Sequence, residues 1–461
     1  MLKVVYDWTI GKIQKYLDVD EFDGKKILYF ALAFFFIIAT SSILRALKTS
    51  IFLGMIGKEH LPKAKLLAII LIIPCMILFS KLVDKLKRHQ LVYFLVLFYA
   101  ACCLIFSFFL LHPTIGLRNT QLSPFRMIGW SFEIFMDFYQ ALIIGTFWSF
   151  INSISTTKFA TKSYGVITAM SRIGGILGSA LGLVVINYSG LPGWQSIPLM
   201  IALSSICLTA VFALVFKVKR TIPKDHLLGY NKIETTTVNK KTHGTLEGLK
   251  LMVSNPYVFG IFGLVFFHEI VSTIFDYQFQ YLLAVESQND ITLMSSFMML
   301  YTISFQVVGL FFAIFGTISL LRRFGLQFCI LLGPSVAFLS VIAFIIYPSL
   351  KTTFVIMVAI RAMHYGFNTP LRDMLYIPTI KNIQFKSKGW VDSFGRTFSQ
   401  SFGSVFNEAS RYVSASMGLI LSSSFSMVVI IGWLFTAYLL GKKYTHTIEN
   451  KQLIGSDEQK A

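Results

Sequence analysis

Charged residues stand inside long apolar segments of this sequence, and their types and spacing indicate that an anion is bound there. Arg45 and Lys48 are three residues apart, so they share one face of a helix. Two cations on one face repel each other unless an anion, from the protein or from a substrate, lies between them. The alternative is that both side chains snorkel to the membrane surface, because they stand near the end of their apolar segment.

Two carboxylates and a polar pair stand in another apolar segment. Glu133 and Asp137 are four residues apart and share one helical face. Carboxylates in this arrangement could carry protons, or they could simply solvate an extracellular vestibule. Asn152 and Ser153 follow near the cytoplasmic end of the same segment.

A further acidic group begins the second half of the chain. Glu269 and Asp276 are two helical turns apart, and Tyr277 follows them. Glu269 could be the counter-ion of Arg45, or it could titrate or bind a substrate amine. A charged side chain at mid-bilayer costs about 2.5–3.5 kcal/mol on insertion scales, so these residues are expected to face a cavity or one another.

The last charged group combines both signs. Asp392 and Arg396 are four residues apart and are expected to pair within one helix. Arg396 and Gln400 share a face and could hold a phosphate or a base. The adjacent residues Arg372 and Asp373 are expected to form a gate or latch with the basic loop that follows them.

An internal repeat organises these groups. The segment 161–182 recurs in weaker form as 385–406, an offset of 224 residues. At this offset Arg172 aligns with Arg396, and Arg45 aligns with Glu269. An offset of nearly half the chain indicates two halves of like architecture. In a membrane protein this is typical of a transporter with a site between two similar bundles.

The composition is that of an all-α polytopic membrane protein. Of 461 residues, 55% are hydrophobic and 14% are charged, and the mean hydropathy is +0.67. The net charge is +19, but the bases stand in loops between apolar segments, so no nucleic acid is expected as a partner. The five cysteines lack metal-ligand spacing and no catalytic motif is present, so no metal, cofactor or enzyme activity is expected.

Twelve segments are long and apolar enough to cross a bilayer, since about 20 apolar residues are needed. They are expected to form two pseudo-symmetric six-helix bundles. The glycines of 174–182 in the fifth segment are expected to allow close helix packing. The twelve segments are 27–47, 66–84, 91–111, 127–151, 164–187, 196–217, 257–284, 293–317, 326–347, 353–374, 391–413 and 417–440.

Five parts are predicted along the chain. They are an amphipathic segment 1–26, an N-terminal bundle 27–217, a basic linker 218–256, a C-terminal bundle 257–440 and a tail 441–461. Lysine and arginine are concentrated at both termini and in the even-numbered connections. By the positive-inside rule, the linker and both termini are therefore expected in the cytoplasm.

Several stretches resemble one family, the ATP/ADP antiporters of plastids and intracellular bacteria, also called the nucleotide transporter or TLC family. The fold of that family is similar to that of the major facilitator superfamily. The resembling stretches are LRALK at 44–48, LPxxK at 61–65, FWSFINS at 147–153, KSYG at 162–165 and, within 369–404, PLRDMLYIPTIKNIQFKSKGWVDSFGRTFSQSFGS. They occur in both halves of the chain.

The resemblance implies counter-exchange of nucleotides across a bacterial inner membrane. Lys48, with Arg45 beside it, matches the family's charged substrate residues on the first helix, and Glu269 matches its acidic residue on the seventh. Two positions depart from the pattern. Ser153 stands where a glutamate usually follows the asparagine, and Gln400 stands where the eleventh helix usually has a lysine. A changed nucleotide, a different coupling mode or another phosphorylated metabolite therefore remain open.

The first hypothesis is a carrier that exchanges ATP for ADP by alternating access. Guanidinium groups match phosphate oxygens, so cations would neutralise the phosphates and polar groups would contact the base or ribose. An empty carrier would leave these cations uncompensated in a low dielectric, so its return without a bound anion would be unfavourable. This requirement for a bound anion couples inward to outward movement. The cations are Arg45, Lys48, Arg396 and Arg172. The polar groups are Asn152, Gln400 and Tyr277.

Two other hypotheses belong to different classes. A proton-coupled importer of nucleotides or of another anionic solute would use Glu133, Asp137 or Glu269 as its proton carrier. A non-transporting scaffold or receptor would use the long basic linker. This hypothesis has no polar pathway that would offset the cost of so many charged residues inside the membrane. The expected partners are a nucleotide and the lipid bilayer, and a single chain is expected to suffice.

Overall fold

The computed structural model describes residues 10–12, 14–15, 17–155, 157–223, 247–312, 317–380, 383, 387–450 and 452–455. No strand occurs among these residues, apart from one isolated bridge between Thr379 and Ile454. A helix satisfies its own backbone hydrogen bonds, which is what a chain in lipid requires. The predicted all-α class is confirmed.

The helices are numbered here in chain order. The first six are α1 Glu21–Met55, α2 Leu61–Lys85, α3 Arg88–Leu111, α4 Met127–Ser153, α5 Thr157–Tyr188 and α6 Gly193–Thr221. After a short helix Glu247–Ser254 come α7 Pro256–Glu286, α8 Ile291–Phe311 and α9 Thr317–Ile346. The last three are α10 with Leu350–Met363 and Thr369–Leu375, α11 with Lys388–Trp390 and Arg396–Ser410, and α12 Ala415–Glu449.

Ten of these helices, α1 to α9 and α12, contain stretches long and apolar enough to cross a membrane. The exceptions within the described chain are α10 and α11, which carry many of the polar side chains of the second half. That polarity is expected of helices that border a site rather than lipid. Membrane spans at α10 and α11 therefore stay a prediction.

Helix starts follow ordinary capping chemistry. Asp20 precedes α1, and its carboxylate accepts a hydrogen bond from the backbone N–H of Asp23 at 2.6 Å. Asn255 precedes α7 and accepts from two backbone N–H groups, with Pro256 at the first helical position. These caps start the helices in polar sequence, so α1 begins at Glu21 rather than at the predicted position 27.

The structure repeats at the same offset as the sequence. A π-helical turn interrupts α4 at Gln140–Ile144, and another interrupts α10 at His364–Asn368. The two turns are 224 residues apart, the offset of the internal repeat. Because π-helical turns are rare, their coincidence is strong support for two halves of like architecture.

The chain divides into two compact units. Unit 1 contains 1–57, 71–240 and 289–303, and unit 2 contains 58–70, 241–288 and 304–461. In unit 1, α1 packs against α5 and α6, and α3 packs against α6. In unit 2, the corresponding helix α7 packs against α11 and α12, and α9 packs against α12. The five predicted parts stay a prediction, and much of the linker, 224–246, lies outside the described residues.

Glycines allow the first helix of each unit to lie close to its partner. A Cβ at Gly174 of α5 would lie 2.4 Å from the carbonyl oxygen of Phe35 on α1, and Gly178 is similarly close to the α1 backbone. In unit 2, a Cβ at Gly403 of α11 would lie 2.9 Å from the Cβ of Thr273 on α7. The predicted packing role of the α5 glycines is confirmed.

Candidate functional site

The acidic group of unit 1 surrounds one lysine. Lys48 on α1 places its Nζ 2.9 Å from Oε1 of Glu133 and 2.6 Å from Oδ1 of Asp137. Glu133 and Lys48 are buried, whereas the Asp137 side chain is 31% exposed. Both carboxylates lie on the same face of α4, as their spacing predicts. The three groups together carry one excess negative charge.

Arg45 lies one turn before Lys48 on α1 and is half-buried. It makes no hydrogen bond or ion pair with any described residue. A cation without a partner inside an apolar helix is costly. Arg45 is therefore a half-buried cation of unit 1 with no counter-charge among the described residues.

Glu269 is the corresponding residue of α7 in unit 2, and it is paired. Its Oε1 lies 3.0 Å from Nε of Arg396, and its Oε2 accepts a hydrogen bond from Nε2 of Gln400 at 2.8 Å. The Glu269 side chain is only 6% exposed, whereas the Arg396 side chain is 42% exposed. The counter-ion of Glu269 is thus Arg396, whose side chain is the more exposed of the two.

A second ion pair of unit 2, which the sequence did not predict, joins α7 to α10. Asp276 on α7 lies 3.7 Å from Nη2 of Arg361 on α10, and it also accepts a hydrogen bond from Gln280 at 2.8 Å. Arg361 stands 224 residues after Asp137, so the repeat itself is the signal that could have found it. Tyr277 is half-buried, and its ring lies 6.1 Å from the ring of Tyr281.

Two ion pairs join α10 to α11. Arg372 Nη2 lies 2.8 Å from Oδ1 of Asp392, and Lys388 Nζ lies 2.8 Å from Oδ1 of Asp373. The expectation that Asp392 pairs with Arg396 is wrong. Asp392 lies within a π-helical turn, Val391–Gly395, that ends just before Arg396, so residues four apart no longer stand one above the other.

The polar pair at the end of α4 has local partners. Asn152 is exposed, and its side-chain oxygen accepts a hydrogen bond from the hydroxyl of Tyr164 on α5. Ser153 donates to the carbonyl of Phe150 at 2.6 Å. Arg172 is half-buried further along α5. Ser153 therefore closes its own helix end, where the family pattern has an acid.

Two histidines of unit 2 lie face to face, which the sequence analysis did not anticipate. The rings of His268 on α7 and His364 on α10 have centroids 4.4 Å apart and planes 7° apart. The ring of Trp433 on α12 lies 5.4 Å from His268. No spacing rule links His268 to His364, because they lie on different helices, and only the packing of α7 against α10 brings them together.

Relatives of this chain are carriers of adenine nucleotides by name. A protein named ADP,ATP carrier protein 3 of Rickettsia felis is 25% identical, covering 82% of this chain and 85% of its own. ADP,ATP carrier protein 1 of Rickettsia bellii is 22% identical, covering 97% of this chain and 99% of its own.

Solved transporter structures share the fold. The xylose transporter XylE from E. coli, in an inward open conformation, superposes with a TM-score of 0.59 at 12% identity, covering 88% of this chain and 94% of its own. The nucleoside transporter NupG superposes with a TM-score of 0.54 at 11% identity, covering 90% and 99%. At these identities the likeness concerns the fold alone. The family model for the TLC ATP/ADP transporter matches residues 8–364, and the chain belongs to that family.

Proposed function

We propose that this protein exchanges nucleotides, ATP against ADP, across a bacterial inner membrane by alternating access. Membership of the TLC family and the ADP,ATP carrier relatives support this function. In this proposal both termini lie in the cytoplasm, one chain is the working unit and nucleic acid takes no part. The basic termini and the two-unit plan support those assignments.

The observation that carries the proposal is the state of Arg45. It is a half-buried cation within α1 that lacks a described partner, and Lys48, one turn away, is already occupied by two carboxylates. A phosphate oxygen would provide Arg45 with the missing counter-charge in fork geometry. Arg45 is therefore the primary phosphate ligand in unit 1, and Lys48 holds Glu133 and Asp137 in place.

In unit 2, Arg396 is the phosphate ligand. Glu269 neutralises Arg396 while the site is empty, and a phosphate competes with that carboxylate when the nucleotide binds. Gln400 holds the other oxygen of Glu269, so the carboxylate keeps its orientation as the arginine changes partner. Asn152 and Tyr277 are assigned to the base or ribose, and Arg172 to a further phosphate contact.

The coupling of inward to outward transport follows from the different net charge of the site with and without bound nucleotide. Without nucleotide, Arg45 has no counter-charge among the described residues, and its passage through a closed, dry intermediate is unfavourable. With a bound phosphate the same passage is compensated. Movement in either direction therefore requires a bound nucleotide, which is exchange. The ion pairs Arg372–Asp392 and Lys388–Asp373 are assigned to the gate that changes between the two directions.

The test is uptake of labelled ATP into proteoliposomes that contain the purified full-length protein. Vesicles preloaded with ADP are expected to take up ATP much faster than empty vesicles. Equal uptake in both would contradict obligate exchange. A panel of internal nucleotides in the same assay identifies which base and how many phosphates are accepted.

One observation favours proton-coupled import as a second candidate function. Two carboxylates lie within 3 Å of the same lysine nitrogen, so the α4 cluster brings two acidic groups to one cation. Such a cluster can take up a proton. Under this alternative, a protonophore abolishes uptake and internal nucleotide has no effect on it. Under exchange, the protonophore leaves uptake into preloaded vesicles intact.

A further inference from the structure

Three potential metal-ligand side chains converge in unit 2. They are His268 and Glu269 on α7 and His364 at the start of the π-helical turn of α10. One ligand atom from each lies within 4.8 Å of the other two. His268 and Glu269 are buried, and His364 is half-buried. The cluster joins two helices of the same unit.

The two imidazoles lack hydrogen-bond partners for their ring nitrogens. Neither ring forms a hydrogen bond with a described residue, and their contacts are the mutual stack and the neighbouring aromatic rings. His268 is only 8% exposed. Buried polar groups are nearly always hydrogen-bonded, so the buried ring of His268, which has no hydrogen-bond partner among the described residues, requires an explanation.

A cavity lies beside the two rings. It has a volume of about 40 Å³, and His268, His364, Asn368, Arg372 and Trp433 are among the residues that line it. A water molecule needs at least about 10–15 Å³ measured in this way, so an ion with one or two waters fits. The two histidines thus line a space that a ligand can occupy.

The fold alone does not require these residues. At the repeat offset of 224, His268 aligns with Leu44, Glu269 with Arg45 and His364 with Gln140. The first half builds the same π-helical turn without any histidine. The cluster is therefore particular to unit 2, as expected for a binding function rather than for a structural need shared by both halves.

We propose that His268, Glu269 and His364 bind a divalent transition-metal ion, with Zn²⁺ as the best match. Two imidazoles and one carboxylate are the ligand types that Zn²⁺ accepts, and water in the cavity supplies the remaining position. Mg²⁺ and Ca²⁺ are excluded by the same set, because they prefer oxygen ligands. Parallel rings cannot both direct a nitrogen at one ion, so one ring turns toward the cavity on binding.

Metal binding would act on the neighbouring ion pair. Glu269 holds Arg396 and Gln400 with its two oxygens, and an ion that takes one of these oxygens weakens one of those contacts. Zn²⁺ is therefore expected to slow transport. This effect rests on the proposed function, whereas binding of the ion itself does not.

The first test measures the ion alone. Full-length protein in detergent, without a polyhistidine tag, is titrated with Zn²⁺ in competition with a chromophoric chelator. One site per chain is expected, with no competition from millimolar Mg²⁺. His268→Ala and His364→Ala are each expected to weaken binding more than about tenfold. His112→Ala, which changes an exposed histidine at the end of α3, is the matched control and keeps the site.

Two results of this titration overturn the proposal. One is a Zn²⁺ affinity that both His268→Ala and His364→Ala leave unchanged, and the other is no binding up to millimolar Zn²⁺. Zinc X-ray absorption on the unmutated protein tests the ligand set without any variant. Two nitrogen ligands at about 2.0–2.1 Å with oxygen ligands are expected. A first shell of oxygen or sulfur alone contradicts the assignment. Where a variant loses its monodisperse elution, His268→Gln and His364→Asn replace it, and the spectrum decides.

Discussion

Asp137 and Arg361 occupy corresponding positions of α4 and α10, yet their charges are opposite. Each pairs with the first helix of its own unit, Asp137 with Lys48 and Arg361 with Asp276. The repeat has thus preserved an ion pair between the two helices while exchanging which helix carries the cation. Charges at these two positions are paired in both units, whereas Arg45 has no ion-pair partner in the part of the chain that the structure describes.

Removing Lys48 is expected to destabilise the protein. Lys48→Ala removes the cation that contacts both the buried Glu133 and the partly buried Asp137. Loss of one partner of a buried pair costs about 3 kcal/mol, with Asp137 contributing less because it is partly exposed. The measurement is thermal unfolding of the purified protein in detergent, where Lys48→Ala is expected to lower the Tm.

The control restores the charge balance without restoring the lysine. Lys48→Ala combined with Glu133→Gln and Asp137→Asn removes all three charges together. This triple variant is expected to recover a large part of the lost stability, because the two carboxylates that contact Lys48 are then neutral as well. A triple variant as unstable as Lys48→Ala would show that packing, rather than charge, accounts for the loss.

The features that could be predicted from the sequence depend on spacing along one helix or on the fixed offset between the two halves. The shared face of Glu133 and Asp137 and the packing role of Gly174 are of this kind. Contacts that depend on a local break in the helix were not predictable. The π-helical turn after Trp390 redirected Asp392 to Arg372, and no residue in that turn signals it.

Contacts between distant helices were the other class that the sequence could not supply. His268 and His364 become neighbours only through the packing of α7 against α10. The sequence indicates that Glu269 lies near a cation. That this cation is Arg396 depends on how closely α11 approaches α7 at Gly403. Helical periodicity predicts which face a residue occupies, and tertiary packing decides which partner that face meets.

Arg45→Ala is expected to remove nucleotide binding without lowering stability. No ion pair with a described residue is lost, and removing a cation that lacks such a pair from an apolar helix is favourable. The measurement is the rise in Tm that ATP produces, since a ligand that binds only the folded state stabilises it by about 2.7 kcal/mol at one hundred times Kd. The variant is expected to unfold at the wild-type temperature or above it and to show no rise with ATP.

Arg118→Ala is the matched control for this variant. Arg118 lies in the connection between α3 and α4, and its guanidinium stacks over Trp194 at 5.6 Å rather than entering an ion pair. It is expected to keep the full rise with ATP. A normal rise in Arg45→Ala would disprove the assignment of Arg45 as the primary phosphate ligand.

Gln400→Lys is expected to increase the preference for the more highly charged nucleotide. The new ammonium lies next to Glu269 and Arg396 and adds one positive charge to a pair that is otherwise neutral. A phosphate-rich ligand gains more from this charge, so the ratio of ATP to ADP affinity is expected to rise severalfold. Competition of each nucleotide against labelled ATP measures the ratio.

Gln400→Met separates charge from hydrogen bonding in that comparison. It has nearly the same length but cannot donate to Glu269. Its ratio of ATP to ADP affinity is expected to stay near that of the wild type, while both affinities fall as Glu269 loses a restraint. If Gln400→Met shifted the ratio as far as Gln400→Lys does, charge at this position would not be the cause.

Gly174→Ala is expected to destabilise unit 1 by about 1–3 kcal/mol, the usual effect of forcing an extra methyl into close packing. The new Cβ would lie 2.4 Å from the carbonyl oxygen of Phe35, and the opposing atom belongs to the α1 backbone, which cannot turn away as a side chain can. Gly165→Ala, in the same helix, meets no atom within 4 Å and is expected to be neutral or slightly stabilising because alanine favours a helix. Thermal unfolding of the two variants side by side measures the difference. Equal Tm values would mean that α5 does not lie as close to α1, the helix that carries Arg45 and Lys48, as the position of Gly174 indicates.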